Sequence, residues 1–250
     1  WIGKPTLNGI NEDELVNTLD NILSRYNIVD SVIIAGETES QFRYNEQFIP
    51  VYQELFSNVY DGIKQKHPDV KFGNSFALHQ VLNKNLKDIV NELAIGDFVA
   101  FSYIPTDLVN EIIKIPEEAI DDLTKIFEIV PNKKIGFFEI SWSTSNFVQG
   151  DFIGQTIFVE KLFNFYKDNE SSIEFLTWYR YTDQEANTCV TKQQKIGDQI
   201  ITVGGGSSMG TSEHVIERLN HYNCESGFID VNQNYKLGWN EFKTQIQMLN

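Results

Sequence analysis

Two stretches of this 250-residue chain end in a carboxylate where a strand would emerge from a core. Ile135 to Phe138 is a short apolar run closed by Glu139, and Ser31 to Glu37 reads SVIIAGE, apolar and then a Glu. Buried parallel strands are continuous apolar runs, and in (β/α)8 enzymes the catalytic groups sit at their C-terminal tips. One strand-tip Glu is explained equally well by solvation. A second of the same kind points to a paired site. Two carboxyls that share one mouth repel each other, and unequal burial separates their pKa values. One is then charged and ready to attack while the other holds a proton ready to give.

Five strands are expected to present such groups: Val29 to Glu37, Val70 to Phe76, Asp97 to Ile104, Lys134 to Ile140 and Ile173 to Tyr179. Helical periodicity separates them, over Asn45 to His67, Leu82 to Leu93, Pro116 to Val130 and Gly150 to Lys167. A helix capped by Asn11 runs from there to Tyr26, and two more, Ser212 to Tyr222 and Lys236 to Leu249, close the chain. Strand and helix alternate at about 30 residues, the size of a βα unit, so the class is α/β with a parallel sheet. No glycine-rich phosphate turn follows a strand. The triple glycine at Gly204 to Gly206 lies in a polar stretch, 180–212, and reads as loop. A barrel pattern is therefore preferred over an open doubly wound sheet, within one domain spanning 1–250.

A net charge of −15 argues against nucleic acid and against an anionic membrane surface, because both need clustered Lys and Arg. No apolar run is long enough to cross a bilayer. The 18 Phe, ten Tyr and four Trp suit aromatic-lined clefts as well as a core. His79, beyond the second strand, reads as a structural histidine or a substrate contact. Asn169 begins a single N-x-S sequon. Asp230 to Glu241 spaces its oxygens like an EF-hand loop, yet Tyr235 occupies the position that needs Gly, so calcium is the lesser reading and no metal or cofactor is expected. Cys189 and Cys224 are either a free buried pair or one bridge.

Taken together, these strand tips resemble retaining glycoside hydrolases of the (β/α)8 class, near the arabinogalactan endo-β-galactanases and their uncharacterised relatives. VDSVIIAGETE from Val29 resembles the fourth barrel strand, DFVAFSYIPTD from Asp97 the sixth, FFEISWSTS from Phe137 the seventh and IEFLTWYRYTD from Ile173 the eighth; Ser226 to Phe242 resembles the closing turn and helix. The resemblance implies strands four to eight of a (β/α)8 barrel, with the first three absent. It implies a glycosidase with Glu139 as nucleophile and Glu37 as acid/base, acting on a neutral β-linked glycan. It implies Trp178 as a floor for the sugar, Trp142 beside it, and Tyr103 orienting the nucleophile by a hydrogen bond. It further implies a disulfide between Cys189 and Cys224, hence an extracellular or cell-surface setting.

Two departures stand out. Gly36 precedes Glu37 where the family carries an Asn that binds the sugar, and matching Gly36 to the glycine of the family's Gly-Asn-Glu would instead put Thr38 at the acid/base position. The ungapped match from Val29 selects Glu37. Three strands are also missing: the sequence is part of a longer chain, the barrel is incomplete, or another chain completes it, and a fragment of a longer protein is the expected case. The alternative from a different class is a non-catalytic carbohydrate-binding or scaffold protein on a degenerate glycosidase barrel.

Overall fold

A computed structural model describes residues 11–190, 194–196, 199–201 and 213–249. The triple glycine and the opening stretch 1–9 lie outside the described residues. Five strands, β1 (Ser31–Ala35), β2 (Lys71–Ala77), β3 (Phe98–Tyr103), β4 (Lys134–Ile140) and β5 (Ile173–Trp178), form one parallel sheet in sequence order. Helices return the chain between them. They are α1 (Glu12–Arg25), α2 (Glu39–Phe42), α3 (Ile49–Lys64), α4 (Leu78–Lys84), α5 (Lys87–Leu93), α6 (Pro116–Thr124), α7 (Ile126–Ile129), α8 (Phe152–Asn169), α9 (Glu213–Cys224) and α10 (Leu237–Leu249). This is the α/β, barrel-type architecture read from the sequence, with five of eight strands. A short antiparallel hairpin, β6 (Gln194–Ile196) with β7 (Gln199–Ile201), falls within the stretch read as loop.

The helix boundaries have local causes. Asn11 caps α1 by accepting from Glu14 N–H at 3.2 Å, and Asp151 caps α8 by accepting from Gly154 N–H at 2.7 Å. The helix expected over 82–93 is two, because Asn85 turns left-handed at φ 53° and ends α4.

Side chains of β2, β3 and β4 alternate between two layers. Phe72, Phe76, Phe101 and Phe137 point to the helices and join a core with Val59, Ile63, Leu123 and Phe165. On the inner face, Phe98 and Phe175 meet edge to face at 5.4 Å. Glycines make room for them. A Cβ on Gly73 would lie 2.3 Å from the Phe98 carbonyl oxygen, and one on Gly136 would lie 2.4 Å from the Phe175 ring. The two edge strands differ from the middle of the sheet, since every residue of β1 is half-buried whereas β3 is buried throughout.

Register is broken next to each candidate carboxylate. Ile33 opposes Gly73 but Ala35 opposes Asn74, so β1 carries one extra residue. Likewise Phe101 opposes Phe137 and Ser102 opposes Glu139, so β4 carries one too. An extra residue kinks a strand and re-aims the side chains after it.

Candidate active site

The site forms at the C-terminal tips of β1, β3, β4 and β5. Past Ala35 the chain turns sharply. Glu37 takes φ 47°, a left-handed conformation unusual for a residue with a side chain, and its N–H donates to Ser75 Oγ at 3.1 Å. Such backbone costs about 1–3 kcal/mol and persists where neighbours enforce it. It delivers the Glu37 carboxylate to β3, where Ser102 Oγ donates to Glu37 Oε1 at 2.9 Å. Ser102 is the register partner of Glu139. Glu37 is thus held by the residue that lies beside Glu139 in the sheet.

Electrostatics confirm that they sense each other. Burial pushes Glu37 above the usual carboxylate range and the Ser102 hydroxyl pulls it back. Glu139 is exposed near the end of β4. Burial, and then the charge of Glu37, raise it to about 7, against the pull of the Arg180 guanidinium. The order runs against the expected roles, since the charge of Glu37 helps keep a proton on Glu139. For two interacting carboxyls the ionisation steps belong to the pair and not to either residue.

A third carboxyl stands behind. Glu39 is wholly buried at the start of α2. Burial and the charge of Glu37 hold it well above the normal range. The N–H groups of Glu39 and Ala77 pull it back without meeting either oxygen in good hydrogen-bond geometry. His79, at the start of α4, is also buried; burial and the charges of Lys84 and Lys114 depress it to about 3, so it is neutral. Neither of its ring nitrogens has a partner among the described residues.

Of the expected aromatics, Trp178 is half-buried at the tip of β5, its Nε1 donating to Ser226 O at 3.0 Å and its ring stacked on Phe228 at 4.5 Å. The other two need correcting. Tyr103 is fully buried and its hydroxyl donates to Asp122 Oδ2 at 2.9 Å, not to Glu139. Strand alternation is the reason, because Ser102 faces the site and its neighbour must face the helices. Trp142 is 3% exposed and packs on Phe158 at 5.3 Å, seated over Gly154, where a Cβ would lie 2.9 Å from its Nε1. The loop after β4 folds it back into the helix layer, away from the mouth. Sequence reasoning missed Ser102, Ser75, Arg180 and Glu39. Only Ser102 carried a signal, its parity opposite Tyr103 in β3.

The predicted bridge between Cys189 and Cys224 is present, with Cα atoms 5.4 Å apart. In the EF-hand-like loop, Asp230 Oδ1 accepts from Asn232 and Asn234 N–H, both at 2.8 Å, and closes the turn on itself. Among the described residues, no group of three or more His, Cys, Asp or Glu is placed to hold a metal, and no helix is long and apolar enough to cross a membrane.

No protein-family model and no curated protein matches this chain. Solved structures do. Xylanase 10B from Thermotoga maritima superposes with a TM-score of 0.57 at 14% identity, covering 98% of this chain and 70% of its own. A β-1,3-glucanosyltransferase from Rhizomucor miehei gives 0.54 at 13%, covering 95% and 73%. A β-glucuronidase from an uncultured Clostridium gives 0.57 at 13%, covering 99% of this chain and 38% of that one. At such identities the likeness shows the fold, the TIM-barrel architecture of glycoside hydrolases present in part.

Proposed function

We propose that this chain forms the catalytic face of a retaining glycosidase acting on a neutral β-linked glycan. The observation that supports the reading is that Glu37, just past β1, is held by Ser102, the residue opposite Glu139 in the register of β3 with β4, and that its charge acts on Glu139. In the first step a Glu139 carboxylate oxygen bonds to the anomeric carbon while the glycosidic C–O bond breaks and Glu37 gives its proton to the leaving oxygen. In the second, water gives a proton to Glu37 and bonds to the same carbon. The ester to Glu139 breaks, and configuration is retained. Trp178 offers an apolar wall for the sugar's C–H face. Three further strands, from elsewhere in a longer protein or from another chain, would close the sheet between β5 and β1. The half-exposure of β1 supports this, because parallel sheets are normally covered and open edges are a liability. The disulfide supports an extracellular or cell-surface setting.

Trapping tests the mechanism. Dinitrophenyl 2-deoxy-2-fluoro-β-glycosides of galactose, xylose and glucose should inactivate the protein and leave a glycosyl mass on the peptide that contains Glu139. An adduct elsewhere, or full turnover of aryl β-glycosides by Glu139→Ala, would remove Glu139 from the role.

A second reading is a non-catalytic carbohydrate-binding protein on this fold. Two observations favour it: Gly36 stands where a sugar-binding Asn is usual, and Glu139 keeps its proton up to about 7. Calorimetric binding of neutral oligosaccharides without product release would select it.

A further inference from the structure

A cluster of rings packs from Trp178, at the tip of β5, through buried Phe228 to exposed rings on the closing segment. Trp178 stacks on Phe228 at 4.5 Å, Phe228 lies 5.9 Å from Trp239, and Trp239 meets Tyr235 at 6.1 Å with the planes 15° apart. Tyr181, three residues past Trp178, meets Trp239 edge-on at 5.2 Å. The outer rings are open, Tyr235 62% exposed and Tyr181 52%. The Lys243 ammonium lies 5.8 Å from the Tyr235 ring centre and supplies a hydrogen-bond donor beside it.

The segments that carry Tyr181 and Tyr235 also supply Asp183 and Gln233 to a depression of about 350 Å³, lined besides by Gln184, Glu185, Thr188 and Val231. Its walls are braced. Gln184 N–H donates to Cys224 O at 3.0 Å, the Cys189–Cys224 disulfide ties the same segment to α9, and the Asp230 turn fixes the opposite side. Small-ligand sites occupy roughly 300–1,000 Å³ and combine apolar walls with a few polar groups. Here the same segments carry flat rings, amides, a hydroxyl and carboxylates.

We infer that Tyr181, Tyr235 and this depression form a second glycan-contacting surface, distal to the catalytic carboxyls and joined to Trp178 by the aromatic cluster. Sugars match both halves, with C–H faces for the rings and hydroxyls for Gln184, Thr188 and Gln233. The excess of acidic residues in the chain selects a neutral polymer over an anionic one. This rests on the glycosidase reading for its ligand class. It adds that a polymer engages the protein beyond the bond being cut.

Affinity electrophoresis in native gels containing soluble xylan, arabinogalactan or β-1,3-glucan tests it, alongside turnover of aryl β-glycosides. At least one polymer should retard the wild-type protein. The double variant Tyr181→Ala with Tyr235→Ala should bind that polymer roughly five- to tenfold more weakly, as expected for losing aromatic contacts. Its aryl glycoside turnover should equal the wild type's. Tyr235→Phe, which keeps the ring, should keep the retardation. Equal retardation of the double variant and the wild type overturns the inference, as does loss in Tyr235→Phe as large as in Tyr235→Ala, or no retardation of the wild type by any of the three. Turnover reads the catalytic proposal separately. A wild type that is retarded but inert loses its catalytic role and keeps this surface; one that is active but never retarded does the reverse.

Discussion

Ser102 donates its hydroxyl to Glu37 at 2.9 Å and stands opposite Glu139 in the register of β3 with β4, so Glu37 is tied to the strand position beside Glu139. The hydrogen bond favours the charged form of Glu37. Activity should need the pair singly protonated. It should rise with pH through a first ionisation above the usual carboxylate value and fall as the pair loses its second proton and no acid is left for the leaving oxygen. Ser102→Ala removes a stabiliser of the Glu37 anion and should move the acidic limb of kcat/KM against pH upward. An unmoved limb would mean that Glu37 is not the group being read.

Glu39 should behave as a buried neutral acid. Its folded-state pKa is raised, so the folded protein binds more protons than the unfolded chain above about pH 4.5. Its contribution is then fully present below the unfolded value and is lost as pH rises towards the folded one. Glu39→Gln should leave denaturant stability little changed near pH 4 and raise it at pH 8, by about 1.4 kcal/mol for each unit by which the folded value is raised. A loss at pH 8 would show that the carboxylate is held charged.

Tyr103→Phe separates packing from catalysis. The hydroxyl it removes bonds Asp122, which keeps its ion pairs with Lys114 and Lys125. Urea unfolding should show a loss of about 1–2 kcal/mol, with kcat for aryl glycosides unchanged. A selective fall in kcat would restore Tyr103 to the site.

Lys236 joins the closing segment to the barrel. It is 5% exposed, pairs with Asp183 at 2.6 Å, and donates to Thr144 Oγ1 and to Glu225 O. Lys236→Met leaves the Asp183 charge buried and should cost about 3–5 kcal/mol in denaturant titration. Asp183→Asn combined with Lys236→Met should recover part of that loss.

The sheet was legible because its strands are apolar runs at βα spacing, and Glu37 and Glu139 were legible because they end two of them. The disulfide followed from the resemblance, not from spacing. What could not be read were the one-residue register breaks in β1 and β4, which depend on how neighbouring strands are paired and not on their own composition. Tyr103 was misplaced for a different reason. Its aromatic ring drew attention, while its parity relative to Ser102 decided where it pointed. Trp142 depends on Gly154, twelve residues on, leaving a seat for it in α8, a long-range fit that composition does not announce.

Gly73 and Gly136 leave room for Phe98 and Phe175 to meet edge to face on the inner side of the sheet. The packing there is therefore set by two positions that contribute no side chain. A methyl at either would collide with backbone or ring, and the rings or the strands would have to move apart. The spacing of the strands at this level is a dimension written in absent atoms.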